Sequence, residues 1–304
     1  MASVITIQDW ASRATVRISG DYLLDWIAAM RAPFGDFDLA VAFAAVVNGS
    51  IRHPGRDAEL NGLPPGEGAP RQPMSARSLG RSIQLPHQTT RRHVEALIEG
   101  GWVERRDLGL IVAPEVLTGP RLQPAANLLM ERLTGILTGL AALESPPPDF
   151  RLAPERGGLL LVLTCDFVLR WVERHIAVPG QVFTEARLNI GGLVFWAVMR
   201  ANLRHVNDDP RLQRAYADLT LPDQLKRPVS VREIADTLEL PYETLRGLVQ
   251  KMIELGLLSR VGRGLIVSEE RLATPRSAAD HRINLTDLRR LLSQLTECGV
   301  LLPA

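Results

Sequence analysis

Apolar residues recur at intervals of three and four along much of the chain, which is the spacing of one face of an α-helix. Two long stretches with this pattern, 122–144 and 283–302, predict amphipathic helices. In residues 74–117, and again in 229–272, the pattern predicts a short helix, a turn, a longer helix and two short strands joined by a tight turn. These patterns indicate a mainly α protein with small β hairpins.

The segments 74–117 and 229–272 are two copies of one unit, and we call them the first and the second motif. They align without a gap, and 17 of their 44 positions are identical, where about three would be expected by chance. Two segments this similar are expected to share one fold. A helix, a turn, a longer helix and a hairpin form the layout of a winged helix-turn-helix.

The duplication continues upstream of both motifs. Residues 19–27 match residues 164–172, and each stretch begins with a hydroxyl side chain, Ser19 or Thr164. Because Ser and Thr are common at helix N-termini, we expect these two residues to cap helices. Residues 3–18 contain alternating apolar positions and predict a strand pair or an arm.

These correspondences predict two tandem halves, residues 1–145 and 157–304, each with flanking helices around its motif. Residues 55–73 are rich in Gly and Pro and predict a mobile loop that enters the first motif, while 144–158 separates the halves. The expected fold is mainly α with small β wings. Its two winged helix-turn-helix halves are expected to form an internal dimer with a pseudo-twofold axis.

Several residues predict where the elements within each motif begin and end. Ser230 and Glu233 have the spacing of a capping box. Pro86 and Pro241 are expected to set the start of the longer helix. Four glycines are assigned to helix ends and hairpin turns: Gly101 and Gly256 as C-terminal caps, Gly109 and Gly264 as the turns.

Local charge distinguishes the two motifs. The whole chain has a net charge of only +1, which excludes a large uniform basic surface. Residues 74–93 contain four arginines and no acid, for a net charge of +4, whereas 229–248 contain two arginines and four acids, for −2. Because phosphates supply most of the non-specific affinity for DNA, we expect the first motif to be the principal DNA reader.

Residues 89–103, TTRRHVEALIEGGWV, and 244–258, TLRGLVQKMIELGLL, resemble the recognition helix and first wing strand of MarR-type and IclR-type transcriptional regulators. The helix order of each half is also similar to that of a MarR subunit, in which helices on both sides of the winged motif make the dimer. The chain differs from that pattern in its short wings, which lack the acidic-arginine signature, and in the fusion of two halves. The resemblance implies a sequence-specific, double-stranded DNA-binding transcriptional regulator.

The resemblance also implies which side chains would reach DNA. The exposed face of the recognition helix and the wing would contact base edges and phosphates. At two of the reader positions the second motif differs, with Glu243 in place of Gln88 and Gly247 in place of Arg92. The candidate DNA-binding residues are Arg77, Arg81, His87, Gln88, Thr89, Arg91, Arg92, Arg105 and Arg106 in the first motif, and Thr244, Arg246, Arg260 and Arg263 in the second.

The sequence predicts neither an enzyme nor a membrane protein. It contains no phosphate-binding glycine loop, nucleophile elbow or recognisable pair of catalytic acids, so no catalytic residue and no cofactor are assigned. Cys165 and Cys298 lack metal-ligand spacing, and His87 and His93 lack a third ligand, so no metal site is predicted. The longest apolar run, 39–47, is too short to cross a bilayer. We expect a cytoplasmic protein.

Other aromatic residues and histidines are given structural roles. Trp26, Trp171 and Trp196 are expected in the core or at helix interfaces rather than in a ligand cage. His53 and His205 occupy matching positions in the two halves and are expected to cap or pack at a helix end.

The expected partner is double-stranded DNA, and two alternatives stay open. One is an interaction protein similar in architecture to the tandem winged-helix subunits of chromosome-condensing complexes, which the acidic second motif favours. The other is a plasmid-type replication initiator. Binding of a second copy of the chain, or of another protein through the second motif, also stays open, since winged helices serve all of these functions.

Overall fold

The computed structural model is mainly helical, with small antiparallel sheets. Its described residues include both motifs apart from Gln84 and the side chain of Pro114. His53 and nearly all of the predicted loop 55–73 lie outside the described residues, so the predictions made for them are untested. The structure describes residues 4–50, 73–83, 85–144, 148–173 and 188–304.

One order of elements occurs twice among the described residues: two long helices, a short and a longer helix, a hairpin, a short helix and a long closing helix. The second copy also contains one further short α-helix and two further strands. The first series is α1 (Ser12–Phe34), α2 (Phe37–Ser50), α3 (Ala76–Ser82), α4 (His87–Glu99), β1 (Glu104–Arg106), β2 (Gly109–Ile111), α5 (Pro114–Thr118) and α6 (Gln123–Ala141). The second is β3 (Phe150–Leu152), α7 (Gly157–Trp171), α8 (Leu188–Asn207), α9 (Pro210–Ala215), α10 (Val231–Leu238), α11 (Tyr242–Glu254), β4 (Ser259–Val261), β5 (Gly264–Ile266), α12 (Glu269–Leu272), α13 (Pro275–Glu297) and β6 (Leu301–Pro303). Strands β3 and β6, like the two strands of each hairpin, pair antiparallel.

The long helices of the two series pack reciprocally. Helix α1 contacts α8 and α13 of the second series, while α7 contacts α2 and α6 of the first. Trp26 and Trp171 are fully buried, and the ring of Trp196 lies edge-on to that of Trp171 with 4.5 Å between centroids. The side-chain amide of Asn284 accepts a hydrogen bond from Trp171 Nε1 and donates one to Ser19 Oγ. The tryptophans therefore lie in a core shared by both series, as predicted.

The predicted N-terminal caps at Ser19 and Thr164 are wrong. Both residues lie inside long helices, α1 and α7, and both are buried. The hydroxyl of Thr164 donates to a carbonyl oxygen of the preceding turn, that of Leu160, at 2.9 Å. The strand pair or arm predicted for residues 3–18 is also wrong: residues 9–11 form a short 3₁₀ helix, residues 12–18 belong to α1, and residues 4–8 form no strand. Helix α1 packs against helices on several sides, so its apolar residues are not confined to one helical face. The helical period therefore could not be recognised from the sequence.

The predicted turn glycines, Gly109 and Gly264, do not form the turns, although Gly262 lies in the loop of the second hairpin with a φ of 58°. The hairpin loops are residues 107–108 and 262–263, and Gly109 and Gly264 begin the returning strands. A Cβ on Gly109 would lie 2.7 Å from the carbonyl oxygen of Met74, and one on Gly264 would lie 2.5 Å from a proline side chain. Gly109 and Gly264 therefore allow the segments before α3 and α10 to pass directly over the hairpins, because a side chain at either position would collide with them.

The other predicted boundaries within the motifs are confirmed. Ser230 and Glu233 form the capping box at the start of α10. Gly101 and Gly256 follow α4 and α11 with left-handed φ values of 65° and 67°. Their amides and the next ones bond to carbonyl groups of the last helical turn, which is the Schellman arrangement. The N-terminal caps of α4 and α11 are Pro86 and Pro241.

A buried asparagine joins the second motif to the long helices. Asn202 on α8 donates from Nδ2 to the carbonyl oxygens of Arg227 (2.8 Å) and Leu265 (3.0 Å). Its Oδ1 accepts from the amide of Val267 at 3.0 Å. Lys226 is buried close by, and its ammonium donates to the carbonyl oxygen of Val267 at 2.7 Å. These hydrogen bonds hold the hairpin of the second motif against α8.

We expect Asn202→Ala to lower the free energy of unfolding by about 3 kcal/mol, because a buried polar group that loses its partner costs roughly 1–3 kcal/mol. Asn202 is fully buried, and its backbone partners would lose their hydrogen bonds. Urea denaturation measures the difference. Asn127→Ala is the matched control, since Asn127 is exposed on α6 and should change stability by less than about 0.5 kcal/mol. Equal losses for the two variants would contradict the expected role of Asn202.

Candidate nucleic-acid interface

Helix α4 has one buried face and one exposed face. Thr90, Val94 and Leu97 are buried against α2 and α3. The hydroxyl of Thr90 also donates to the carbonyl oxygen of Pro86 at 3.1 Å, which fixes the first turn of the helix to the preceding loop. The opposite face carries the predicted readers: His87, Gln88, Arg91 and Arg92 are exposed, and Thr89 is half-buried.

The first hairpin lies beside this exposed face. A groove of about 690 Å³, which includes its open mouth, lies between α3, α4 and β1. Its lining includes His87 and Arg91 from α4 and Arg105 from β1. The structure therefore brings recognition-helix and wing candidates to one groove. The remaining candidates of the first motif, Arg77, Arg81 and Arg106, are all exposed.

Ion pairing separates the arginines of the first motif into two groups. Arg91 Nε lies 2.9 Å from Oε1 of Glu95, and Arg106 pairs with Glu104 across 2.5 Å. Both pairs are exposed, and exposed pairs are easily exchanged for another anion. Within the described part of the chain, four arginines of this motif form no ion pair: Arg77, Arg81, Arg92 and Arg105.

The second motif presents a different surface on the same arrangement of elements. Helix α11 buries Leu245, Val249 and Met252. On its exposed face the guanidinium of Arg246 is bound to Glu243, with 2.9 Å between Nε and Oε2. The other candidates of this motif are also exposed: Thr244 on α11, Arg260 on β4 and Arg263 in the hairpin loop.

The position that holds Arg92 in the first motif is occupied by Gly247 in the second. A Cβ built on Gly247 would meet no atom within 4 Å. Packing therefore does not require a glycine there. The acidic side chains Glu233, Asp236, Glu239 and Glu243 are exposed on this motif, which agrees with the negative local charge of its sequence.

Two arginines near the motifs were not identified from the sequence. Arg31 on α1 donates to the carbonyl oxygen of Leu238 at 2.6 Å and lies 3.4 Å from Oε2 of Glu239. It therefore ties the turn of the second motif to the first series. Arg121 stacks over the ring of Trp102, 3.4 Å from its centroid, next to the C-terminal end of α4. Neither contact could be predicted from the local sequence. Leu238 is 207 positions from Arg31, and Arg121 reaches Trp102 only because of the path that the chain takes after β2.

The histidines near the candidate interface occupy different environments. His87 is exposed at the start of α4, whereas His93 is buried on the inner face of the same helix. Burial lowers the pKa of His93, and the nearby Asp38 and Asp36 partly oppose this effect. His205 is half-buried in the last turn of α8, as predicted for a residue at a helix end.

Over the described ranges, no helix combines the length and the apolar character that a membrane crossing requires. In the same ranges, no group of three or more His, Cys, Asp or Glu side chains is arranged to hold a metal ion. Comparison of the chain with protein-family models, with curated proteins and with solved structures finds no match.

Proposed function

We propose that this protein is a sequence-specific, double-stranded DNA-binding transcriptional regulator with two winged helix-turn-helix units. In this proposal the first motif is the principal reader, α4 enters the major groove and β1 and β2 form the wing. The second motif contributes weaker contacts through Thr244, Arg246, Arg260 and Arg263. The halves 1–145 and 157–304 form an internal pseudo-dimer in one chain.

The arrangement of cations on the first motif carries this proposal. Arg91 and Arg105, from the helix and the hairpin, line one groove, and Arg92 lies on the same exposed face of α4 without an ionic partner among the described residues. An exposed helix with basic side chains beside a basic hairpin suits a phosphate backbone and the edges of bases.

Reciprocal packing of the long helices supports the pseudo-dimer. The contact of α1 with α8 has its counterpart in the contact of α7 with α2, and α1 with α13 corresponds to α7 with α6. Each motif then rests on the second long helix of its own series, α2 or α8. Two motifs carried in equivalent ways on one core could face a single duplex together, as two subunits do in a symmetric dimer.

An interaction protein is the second candidate, and the second motif favours it. Its recognition helix presents Glu243 paired with Arg246, and its short helix presents Glu233 and Asp236. An acidic face opposes DNA phosphates but suits a basic protein partner. This candidate gains support if the chain binds no duplex.

The purified chain is expected to select a duplex from fragments of its own genome over random DNA, with an affinity that falls steeply as salt rises. If each of the four unpaired arginines of the first motif neutralises one phosphate, the slope of log K against log salt concentration is roughly −4. Fluorescence anisotropy with a labelled duplex measures both quantities, and a chelator should change neither. Retention of no genomic fragment above random DNA would remove the regulator proposal and favour the interaction protein.

A further inference from the structure

A second basic site lies away from both recognition helices. A narrow pocket of about 30 Å³ lies between α1, α8, residues 219–221 and the helices α12 and α13. Its walls are mostly apolar, with Met199, Leu203 and Val206 contributed by α8. Three nitrogen-bearing side chains also line it, and no acidic residue does: Arg13, Arg17 and His281.

Arg17 is the most unusual member of this group, since only 8% of the residue is exposed. Its Nε donates to Oδ1 of Asn207 at 3.1 Å, and its Nη1 donates to the carbonyl oxygen of Tyr216 at 2.8 Å. Its Nη2 is buried and has no hydrogen-bond partner among the described residues. An arginine that is buried with an unsatisfied donor is costly, because burying a charge requires compensating contacts.

Two nearby acids, Asp21 and Asp218, partly offset the charges of Arg17 and Arg13, but each also has another partner. Asp21 accepts a hydrogen bond from Asn207 Nδ2 at 2.8 Å and lies 3.7 Å from the guanidinium of Arg200, while Asp218 accepts from the hydroxyl of Ser12 at 3.0 Å. Neither acid lines the pocket. The pocket wall therefore carries more positive than negative charge.

The pKa shifts of the lining groups agree with this excess of positive charge. Burial lowers the pKa of Arg17 to about 10, although Asp21 opposes the effect. Burial, followed by repulsion from Arg13 and Arg17, lowers the pKa of His281 to about 4. At neutral pH the imidazole is therefore uncharged beside two guanidinium groups, and an anion in the pocket would be attracted by both.

The duplication supplies an internal comparison. At the site related by the duplication, the positions of Arg13 and Arg17 are occupied by Gly158 and Val162 of α7, and that of His281 by Ala126 of α6. The equivalence holds in space: Arg13 donates to the carbonyl oxygen of Leu272, and a Cβ on Gly158 would lie 3.3 Å from the carbonyl oxygen of the matching Leu117. The same helix packing thus forms without these basic residues, so the fold does not require them.

We propose that this pocket binds the carboxylate of a small organic acid. The guanidinium groups of Arg13 and Arg17 would donate to the two carboxylate oxygens, and the hydrocarbon part of the ligand would extend out of the narrow pocket along the apolar side chains of α8. A monocarboxylate fits this combination better than inorganic phosphate, because one face of the site is apolar and cannot solvate a second charge. The proposal does not depend on DNA binding.

Calorimetric titration of the full chain with butyrate and with butyramide tests the proposal. Butyramide has nearly the same shape and no charge, so butyrate should bind and butyramide should bind at least about tenfold more weakly, given the strength of charge-assisted hydrogen bonds. Arg13→Gln should weaken butyrate by a similar factor. Arg132→Gln, an exposed arginine on α6, removes the same charge away from the pocket and should leave the affinity unchanged.

Any of the following results would overturn the proposal: no binding of butyrate at millimolar concentration, equal binding of butyrate and butyramide, or equal affinity in Arg13→Gln and Arg132→Gln. Circular dichroism checks that each variant is folded. Arg17→Lys is the second variant, since it keeps the charge but removes the planar pair of donors, and it should also weaken butyrate. Tighter binding of inorganic phosphate than of butyrate would reject the carboxylate assignment.

Discussion

Replacing both Arg91 and Arg92 with Ala is expected to weaken binding to the selected duplex about a hundredfold, while Arg246→Ala weakens it less than about threefold. Arg91 and Arg92 lie on the exposed face of α4 in a segment of net charge +4. Arg246 is bound to Glu243 in a segment of net charge −2. Anisotropy titrations at one fixed salt concentration measure the three affinities.

Exposure of all three arginines provides the internal check on this experiment. None contributes to the core, so thermal unfolding of the variants should match that of the unchanged protein. Arg132→Ala removes an exposed arginine from α6 and should not affect DNA binding. Similar losses for the two motifs would contradict the asymmetry and indicate that α4 and α11 read bases alike.

Elements whose position depends on local chemistry could be predicted from the sequence. Ser230 and Glu233 bond to each other's backbone within one turn, and Gly101 and Gly256 take the left-handed conformation that closes a helix. Val94 and Leu97 are buried and lie three positions apart, which is the spacing of one helical face, so the sequence also specifies the buried and the exposed face of α4. In each case the determining residues lie within one or two turns of the structure that they specify.

Features that depend on tertiary packing could not be predicted in this way. Gly109 reads as a turn residue, but the requirement comes from Met74, which lies 35 positions earlier in the chain. Ser19 and Thr164 have the chemistry of caps, yet both are enclosed by helices from the other series. A hydroxyl group can donate a hydrogen bond to a carbonyl oxygen of its own helix, so Ser and Thr are tolerated at buried positions inside helices.

The candidate sites likewise combine features that could be predicted from the local sequence with features that depend on tertiary packing. Exposure of the reader positions follows from the helical period, but the ion pairs that distinguish Arg91 from Arg92 depend on which acid is one turn away and which rotamer reaches it. The buried environment of Arg17 was not predicted at all, because its partners Asn207 and Tyr216 are about 200 positions away. Only the folded chain brings this arginine, Arg13 and His281 to one pocket.

A charge change on the second motif is expected to produce a gain of DNA affinity. Glu243→Gln together with Gly247→Arg introduces the side chains that the first motif has at these positions, Gln88 and Arg92. The two replacements bring the net charge of 229–248 from −2 to zero. Arg246 would also lose the carboxylate that now binds it. We expect affinity for the duplex to rise about tenfold and the salt slope to become steeper by roughly one to two units. Anisotropy titrations across a salt series measure both changes.

The closing helix of the first series offers a matched control for this gain. Glu131→Gln with Gly135→Arg makes the same two replacements at the same four-residue spacing on α6, where both positions are exposed and a Cβ on Gly135 meets nothing within 4 Å. Each double variant replaces a helical glycine, which should stabilise its helix by a similar amount, about 0.5–1 kcal/mol. Stability therefore cannot explain a difference between them. If the α6 variant gains as much affinity as the α11 variant, net charge alone accounts for the effect; if only the α11 variant gains, the second motif faces the duplex, as the pseudo-dimer requires.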